Sequence, residues 1–245
     1  MLDDMRVLRD AADGYRAAAT AAGVPWPDDS GTGGDDPVPD LVHRLFDVDH
    51  VAEQLAWLES RRWGSGRLFP GGGRLLAWPA AEDAAETLGL LSLSVGTPFP
   101  WRHQMPLFRF SVLVFTIVLA GDHEGEIWRY EIAPDTWDPV RAAPGLAALF
   151  TEWTRGLEAG IVWFREADRW LRVGDPTGVP GDLEVLRDRA PGLDPLAFPV
   201  SMTDEPLLRE RQAECGVDLD CVDAGFACQE ELQDQVDAVR ASLPL

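Results

Sequence analysis

The sequence predicts an α+β protein in which helices flank a mainly antiparallel central sheet, with acidic helical extensions at both ends. A run rich in Val, Phe, Ile and Thr over 107–119 is typical of a strand. A polar loop that begins and ends with glycine, 121–125, leads from it into a second strand over 126–132, as in an antiparallel hairpin. The segment 144–159 then places Leu, Phe and Trp at helical spacing, which predicts an amphipathic helix packed against the sheet.

The remaining elements follow from local start, stop and turn signals. Gly23 ends an alanine-rich helix that starts near residue 4, and Asp49 is placed to cap a second helix that runs to about residue 62. The triple glycine at 71–73 predicts a turn between short strands. For 161–173, a hairpin and a continued helix both fit the periodicity. Shorter or peripheral elements are predicted as strands at 67–70, 74–78 and 90–95 and as helices at 80–88, 205–214 and 227–243.

Composition excludes several enzyme classes. The chain has 245 residues, with 42 acidic residues against 21 basic ones and a net charge of −21. Lysine and asparagine are both absent, a bias typical of a GC-rich, for example actinobacterial, genome. Without lysine there is no Schiff base with pyridoxal phosphate, no phosphate-loop or kinase lysine and no serine–lysine dyad. The charge disfavours nucleic acid and anionic membrane as partners and favours a basic protein.

The charge is unevenly distributed, which suggests three regions. Acidic residues outnumber arginines by six in 1–40 and by eight in 200–245, whereas the much longer middle has an excess of only seven. Nine of the ten tryptophans also lie in the middle. We therefore predict an acidic helix and linker at 1–40, an α+β core at 41–175, and a Pro- and Gly-rich connection with an acidic helical tail at 176–245.

Targeting signals and cysteine content indicate the cytoplasm. The N-terminal residues are charged and lack the apolar run of a secretory signal, and the longest apolar stretch is about half as long as a membrane span requires. The three cysteines, Cys215, Cys221 and Cys228, are an odd number confined to the tail, which argues against a secreted disulfide framework. We expect a cytoplasmic protein that does not associate with membranes.

No motif predicts a catalytic residue, a cofactor or a metal site. The four histidines lack metal-binding or catalytic spacing and are expected at the surface or the rim of the core. Three cysteines are fewer than the four ligands of a structural zinc site, and the acidic residues between Asp218 and Asp223 depart from the EF-hand pattern. No G-x-S-x-G motif is present. An enzyme site built from Asp, Glu, Arg and His, with His103 or His123 at its mouth, stays open as an alternative.

Two stretches, PLFRFSVLVFTIVLAGDHEGEIWRYEI and APGLAALFTEWTRGL, resemble the SUKH superfamily. The matching positions are Gly125, Ile127 and Trp128 in the strand and Leu146, Leu149, Phe150 and Trp153 in the helix. The resemblance covers roughly residues 45–172. It implies an α+β fold with one mainly antiparallel sheet and no enzymatic activity. It also implies a cytoplasmic immunity protein that neutralises a toxin, often a nuclease, by direct binding, or else an adaptor or scaffold.

Two tryptophans and a set of acidic loop residues are the predicted partner-binding surface. Trp101 and Trp137 lie in proline-rich loops, where they are more exposed than tryptophans of strands and helices and are suited as anchors. The acidic residues around these anchors are Asp122, Glu124, Asp135 and Asp138. The leading hypothesis is stoichiometric binding of a basic protein, such as a nuclease toxin, without cofactor or metal. An adaptor subunit of a larger assembly is a further alternative.

Overall fold

The structure is a computed structural model that describes residues 5–27, 49–61, 63, 66–75, 104–110, 113–119, 121–131, 140–177, 183–200, 205–214 and 234. Its helices are α1 (Met5–Ala21), α2 (Asp49–Ser60), α3 (Leu146–Glu158), α4 (Leu183–Arg189) and α5 (Glu205–Glu214). Its strands are β1 (Arg74–Leu75), β2 (Gln104–Phe110), β3 (Leu113–Val118), β4 (Ile127–Glu131), β5 (Val140–Ala143), β6 (Val162–Arg165) and β7 (Trp170–Val173). Short 3-10 turns are formed by Pro70–Gly72 and Pro195–Ala197. The described part of the chain is therefore α+β, as predicted.

Strands β1 to β5 form one sheet in sequence order, and every neighbouring pair is antiparallel. The prediction of one strand over 107–119 was wrong, because β2 and β3 pair with each other and are separated by residues 111 and 112. All six residues of β3 are buried. A continuous apolar run indicates that both faces of a strand are buried, but it does not indicate where the chain reverses direction between two strands. The hairpin of β3 and β4 through the loop 121–125 is confirmed.

Helices α1 and α3 pack against each other beside the sheet. In α1 the fully buried side chains recur every three or four residues, at Leu8, Ala12, Tyr15 and Ala19. The Tyr15 hydroxyl donates a hydrogen bond to the Leu68 carbonyl at 2.7 Å, which satisfies its polar atom inside the core. The hydrophobic core extends from Leu8 to Leu208, so both acidic ends of the sequence contribute buried side chains to it.

Of the two structures that fit 161–173, the hairpin is confirmed. β6 and β7 pair in register from Val162 opposite Val173 to Arg165 opposite Trp170. The turn between them has Arg169 in the left-handed region at φ 60°, a conformation that is uncommon for a residue other than glycine. β7 packs along the 3-10 turn that precedes β1, which joins this hairpin to the edge of the main sheet.

The Pro- and Gly-rich segment after α4 is held in the core by hydrogen bonds to its carbonyl groups. Arg129 of β4 donates to the carbonyls of Phe198 at 2.9 Å and Val200 at 2.6 Å. The Trp153 indole donates to the Ala197 carbonyl at 2.7 Å. The carbonyl groups of this segment therefore find buried donors on β4 and α3, away from water.

The helices predicted at 4–22, 49–62, 144–159 and 205–214 are confirmed, with ends that shift by one or two residues. The helix at 80–88 and the strand at 90–95 lie outside the described residues, and of the helix at 227–243 only residue 234 is described, as helical. Within the described ranges, none of the helices combines the length and the apolar character that crossing a bilayer requires.

Candidate functional site

The loop between β3 and β4, residues 121–126, has a backbone fixed at both ends. Gly121 at φ 88° and Gly125 at φ 83° adopt conformations that residues with a β-carbon rarely take. The Gly125 amide donates to the Val118 carbonyl at 2.8 Å, and the Val118 amide donates to the Glu126 carbonyl at 3.0 Å. Inside the loop the Glu124 amide donates to the Gly121 carbonyl at 3.1 Å. The loop therefore continues the ladder of the hairpin into a defined turn.

The Glu126 side chain ties this loop to the sheet. One of its oxygens, Oε2, accepts a hydrogen bond from the buried Trp128 indole at 3.0 Å and lies 3.1 Å from Nδ1 of His123. The other, Oε1, accepts from the Arg141 guanidinium of β5 at 3.0 Å. Only 15% of the Glu126 side chain is exposed, so these charge-assisted bonds are partly shielded from water. The carboxylate thus joins the loop, β4 and β5.

Two of the predicted partner-binding residues lie on this loop. The Asp122 side chain is exposed, and the Glu124 side chain is partly buried. Burial raises the pKa of Glu124, and the charge of His50 from α2 opposes that rise. The loop places one fully solvated carboxylate and one partly desolvated carboxylate two residues apart. The other predicted residues, Trp101, Asp135, Trp137 and Asp138, lie outside the described residues.

Three of the described tryptophans are too deeply buried to anchor a partner. Trp128 in β4 and Trp153 in α3 are fully buried, and Trp63 is 1% exposed. Trp153 packs between the rings of Phe108 and Phe150, with centroids at 5.3 and 5.6 Å. These large side chains build the core.

Glu126, His123 and Arg141 form one polar cluster that was not predicted from the sequence. One signal was available: Glu126 stands two residues before Trp128, and alternate residues of a strand lie on the same face. Arg141 had no such signal, because β5 was not predicted, and only pairing of Arg141 with Trp128 in the sheet brings its side chain to Glu126.

The His123–Glu126 contact has a chemical consequence. A carboxylate that contacts Nδ1 of a histidine fixes the orientation of the imidazole ring. The His123 side chain is one-third exposed. Among the described residues no group of three or more His, Cys, Asp or Glu side chains is arranged to hold a metal ion. Cys215, Cys221, Cys228 and the acidic run from Asp218 to Asp223 lie outside this part of the chain.

No protein-family model matches the chain, and no curated protein matches it.

Proposed function

We propose that this protein is a non-catalytic binding module that presents the β3–β4 loop to a basic partner protein, and that it serves as an immunity protein of the SUKH type. The observation that carries the proposal is the anchoring of the loop. Two glycines, four backbone hydrogen bonds and the Glu126 side chain hold Asp122 and Glu124 in place. A loop that is already ordered loses little conformational entropy on binding, so more of the interaction energy appears as affinity.

The overall charge supports the same role. A net charge of −21 attracts a cationic protein over distances comparable to the Debye length, about 8 Å at physiological salt. Such steering raises the association rate, and specificity then comes from short-range contacts. Trp101 and Trp137 are the proposed anchors of those contacts, with Asp135 and Asp138 beside them. A basic nuclease toxin neutralised in the cytoplasm fits this chemistry.

Charge reversal on the loop tests the proposal. The test takes as partner a purified basic protein encoded by a neighbouring gene and measures its dissociation constant by isothermal titration calorimetry. We expect the double variant Asp122→Arg and Glu124→Arg to bind at least about 100-fold more weakly, because each reversal replaces an attraction by a repulsion of about 1.4 kcal/mol or more.

The matched control is the double variant Glu158→Arg and Asp188→Arg, which changes the net charge equally at two exposed positions in α3 and α4. We expect it to weaken binding by less than about threefold at physiological salt, because exposed charges beyond a Debye length are screened. Equal losses in the two double variants would show that the loop has no special role. Absence of any protein partner, together with turnover of a small molecule, would overturn the proposal.

A catalytic role is the second candidate, and the His123–Glu126 pair favours it. An imidazole whose Nδ1 is held by a carboxylate is arranged as a general base. The variant His123→Gln distinguishes the two candidate functions. A hydrolytic activity that disappears in this variant while partner affinity is retained would favour the enzyme.

A further inference from the structure

One flank of this acidic protein is rich in exposed arginine. We define the arginine flank as the edge of the sheet at β1 and β2, the segment 67–72 that contains the 3-10 turn before β1, and the β6–β7 hairpin packed beside that turn. Its arginines are Arg67, Arg74, Arg109, Arg165, Arg169 and Arg172. The described carboxylates of the same segments are Glu166 and Asp168 alone. In a chain of net charge −21, this is a local excess of positive charge.

The Trp170 ring of the flank contacts two guanidinium groups. The Cζ atom of Arg67 lies 4.0 Å from the Trp170 ring centroid, and that of Arg172 lies 5.1 Å from it. Gly72 approaches the same indole so closely that a β-carbon there would lie 3.2 Å from the ring. Stacking on an indole orders a guanidinium group and leaves its N–H donors available. Arg67 therefore presents pre-oriented donors, whereas Arg172 directs its Nε and one terminal nitrogen to Asp168.

Arg74 and Arg109 lie directly opposite each other on β1 and β2, and both are exposed. Like charges at directly opposite positions destabilise a pair of strands. Neither guanidinium has a carboxylate within ion-pair distance among the described residues, whereas Asp168 pairs with both Arg165 and Arg172. The positive charge of Arg74 and Arg109 is therefore not compensated within this part of the molecule.

Protection of the sheet edge against pairing with another chain does not explain all the arginines of the flank. A charged residue on an edge strand blocks pairing with another chain, and Arg74 on the two-residue strand β1 can serve that purpose. Arg109, however, lies on β2, which is covered on both sides by β1 and β3. The stacked Arg67 and Trp170 lie outside the edge strand altogether.

We propose that the arginine flank binds a short acidic segment of a partner protein. Guanidinium groups pair with carboxylates through two parallel hydrogen bonds, and Arg and Trp are the residue types that most often dominate interfaces. The occupant is a short segment because the negative charge of the whole protein repels an extended polyanion such as nucleic acid. The positive charge of the arginine flank attracts carboxylates only within about one Debye length.

This surface is distinct from the β3–β4 loop. Arg109 pairs with Val114 near the start of β3, whereas the loop leaves β3 after Val118. Four residues of strand separate the two points, about 13 Å at about 3.3 Å per residue. The protein then carries one surface for cations and another for carboxylates, so it can contact two partners at once.

The test uses a decaglutamate peptide and the full-length protein in 50 mM salt. Binding is followed through the indole N–H resonance of Trp170, assigned with the variant Trp170→Phe. We expect this resonance to shift when the peptide binds. We expect the variants Arg67→Glu and Arg109→Glu each to lower the affinity for the peptide by at least about fivefold. Two variants at separate positions guard against loss of folding in one of them, and thermal unfolding checks both.

The matched control is Arg9→Glu, an equal charge change at an exposed position of α1, which we expect to alter affinity by less than about twofold. The loop variant with Asp122→Arg and Glu124→Arg should bind the peptide at least as well as the wild type, which separates this proposal from the previous one. The proposal is overturned if the Trp170 resonance does not move, if Arg9→Glu weakens binding equally, or if a ten-nucleotide single strand binds more tightly than the peptide.

Discussion

Two polar side chains at strand β4 hold other parts of the chain in place, Glu126 just before the first residue of the strand and Arg129 near its centre. They differ in burial and in how far along the chain their partners lie. Glu126 keeps part of its carboxylate exposed and contacts donors in its own loop and on β4 and β5. Arg129 is 3% exposed and donates to carbonyls of residues 69 and 71 positions later in the chain. Glu126 orders a surface loop, whereas Arg129 attaches a distant segment to the sheet.

The difference indicates which anchor serves stability and which serves binding. A buried charge deprived of its partners is costly, and so is a buried carbonyl deprived of its donor. Water can take over the hydrogen bonds of a partly exposed carboxylate. Removing that carboxylate therefore affects local order more than global stability. The three predictions that follow use this contrast, in decreasing order of expected effect.

The variant Arg129→Met is expected to lower the free energy of unfolding by about 3 kcal/mol, because in the core the Val200 carbonyl loses its Arg129 donor and the Phe198 carbonyl keeps only the Val200 amide. Chemical denaturation measures the change. Arg109→Met, an exposed position on the same sheet, is the control and should change stability by less than about 0.5 kcal/mol. Equal effects of the two substitutions would contradict the assignment of Arg129 as an anchor.

The variant Glu126→Gln is expected to lower the free energy of unfolding by about 1 kcal/mol, since the amide offers one acceptor where the carboxylate offers two. Amide hydrogen exchange should accelerate at Glu124 and Gly125, whose N–H groups bond within the hairpin. Glu158→Gln, at an exposed helix position, is the control. Unchanged exchange in the loop would mean that the backbone hydrogen bonds hold it without Glu126.

The smallest expected effect concerns the pH dependence of Glu124. Burial raises its pKa in the folded state, so folding favours the protonated carboxyl. That contribution is fully present below the unfolded pKa of about 4.3 and is lost as the pH rises through the folded pKa. Glu124→Gln should therefore equal the wild type at pH 3 and be slightly more stable at pH 7. A carboxyl titration by NMR that places the pKa of Glu124 in the folded protein at or below the unfolded value of about 4.3 would contradict this.

Part of the candidate site could be predicted from local sequence. Gly121 and Gly125 bracket a polar turn between two strand-forming runs, and this pattern identified both the hairpin and the position of Asp122 and Glu124. The cluster around Glu126 could not be predicted, because its partner Arg141 belongs to a strand with no strong local signal. The same limit applied to 107–119, where burial on both faces concealed the division into β2 and β3.

The sequence by itself determined the elements whose physical cause lies within a few residues. The spacing of apolar residues specified α1 and α3, and the glycines that accept positive φ specified the β3–β4 turn. Only the tertiary structure decided how distant charges are used. Arg129 is buried because carbonyls about 70 residues away accept its hydrogen bonds. Arg74 and Arg109 face each other because strand register brings them together. Composition predicts an acidic protein, and pairing in space decides where its arginines are held in the core and where they meet solvent.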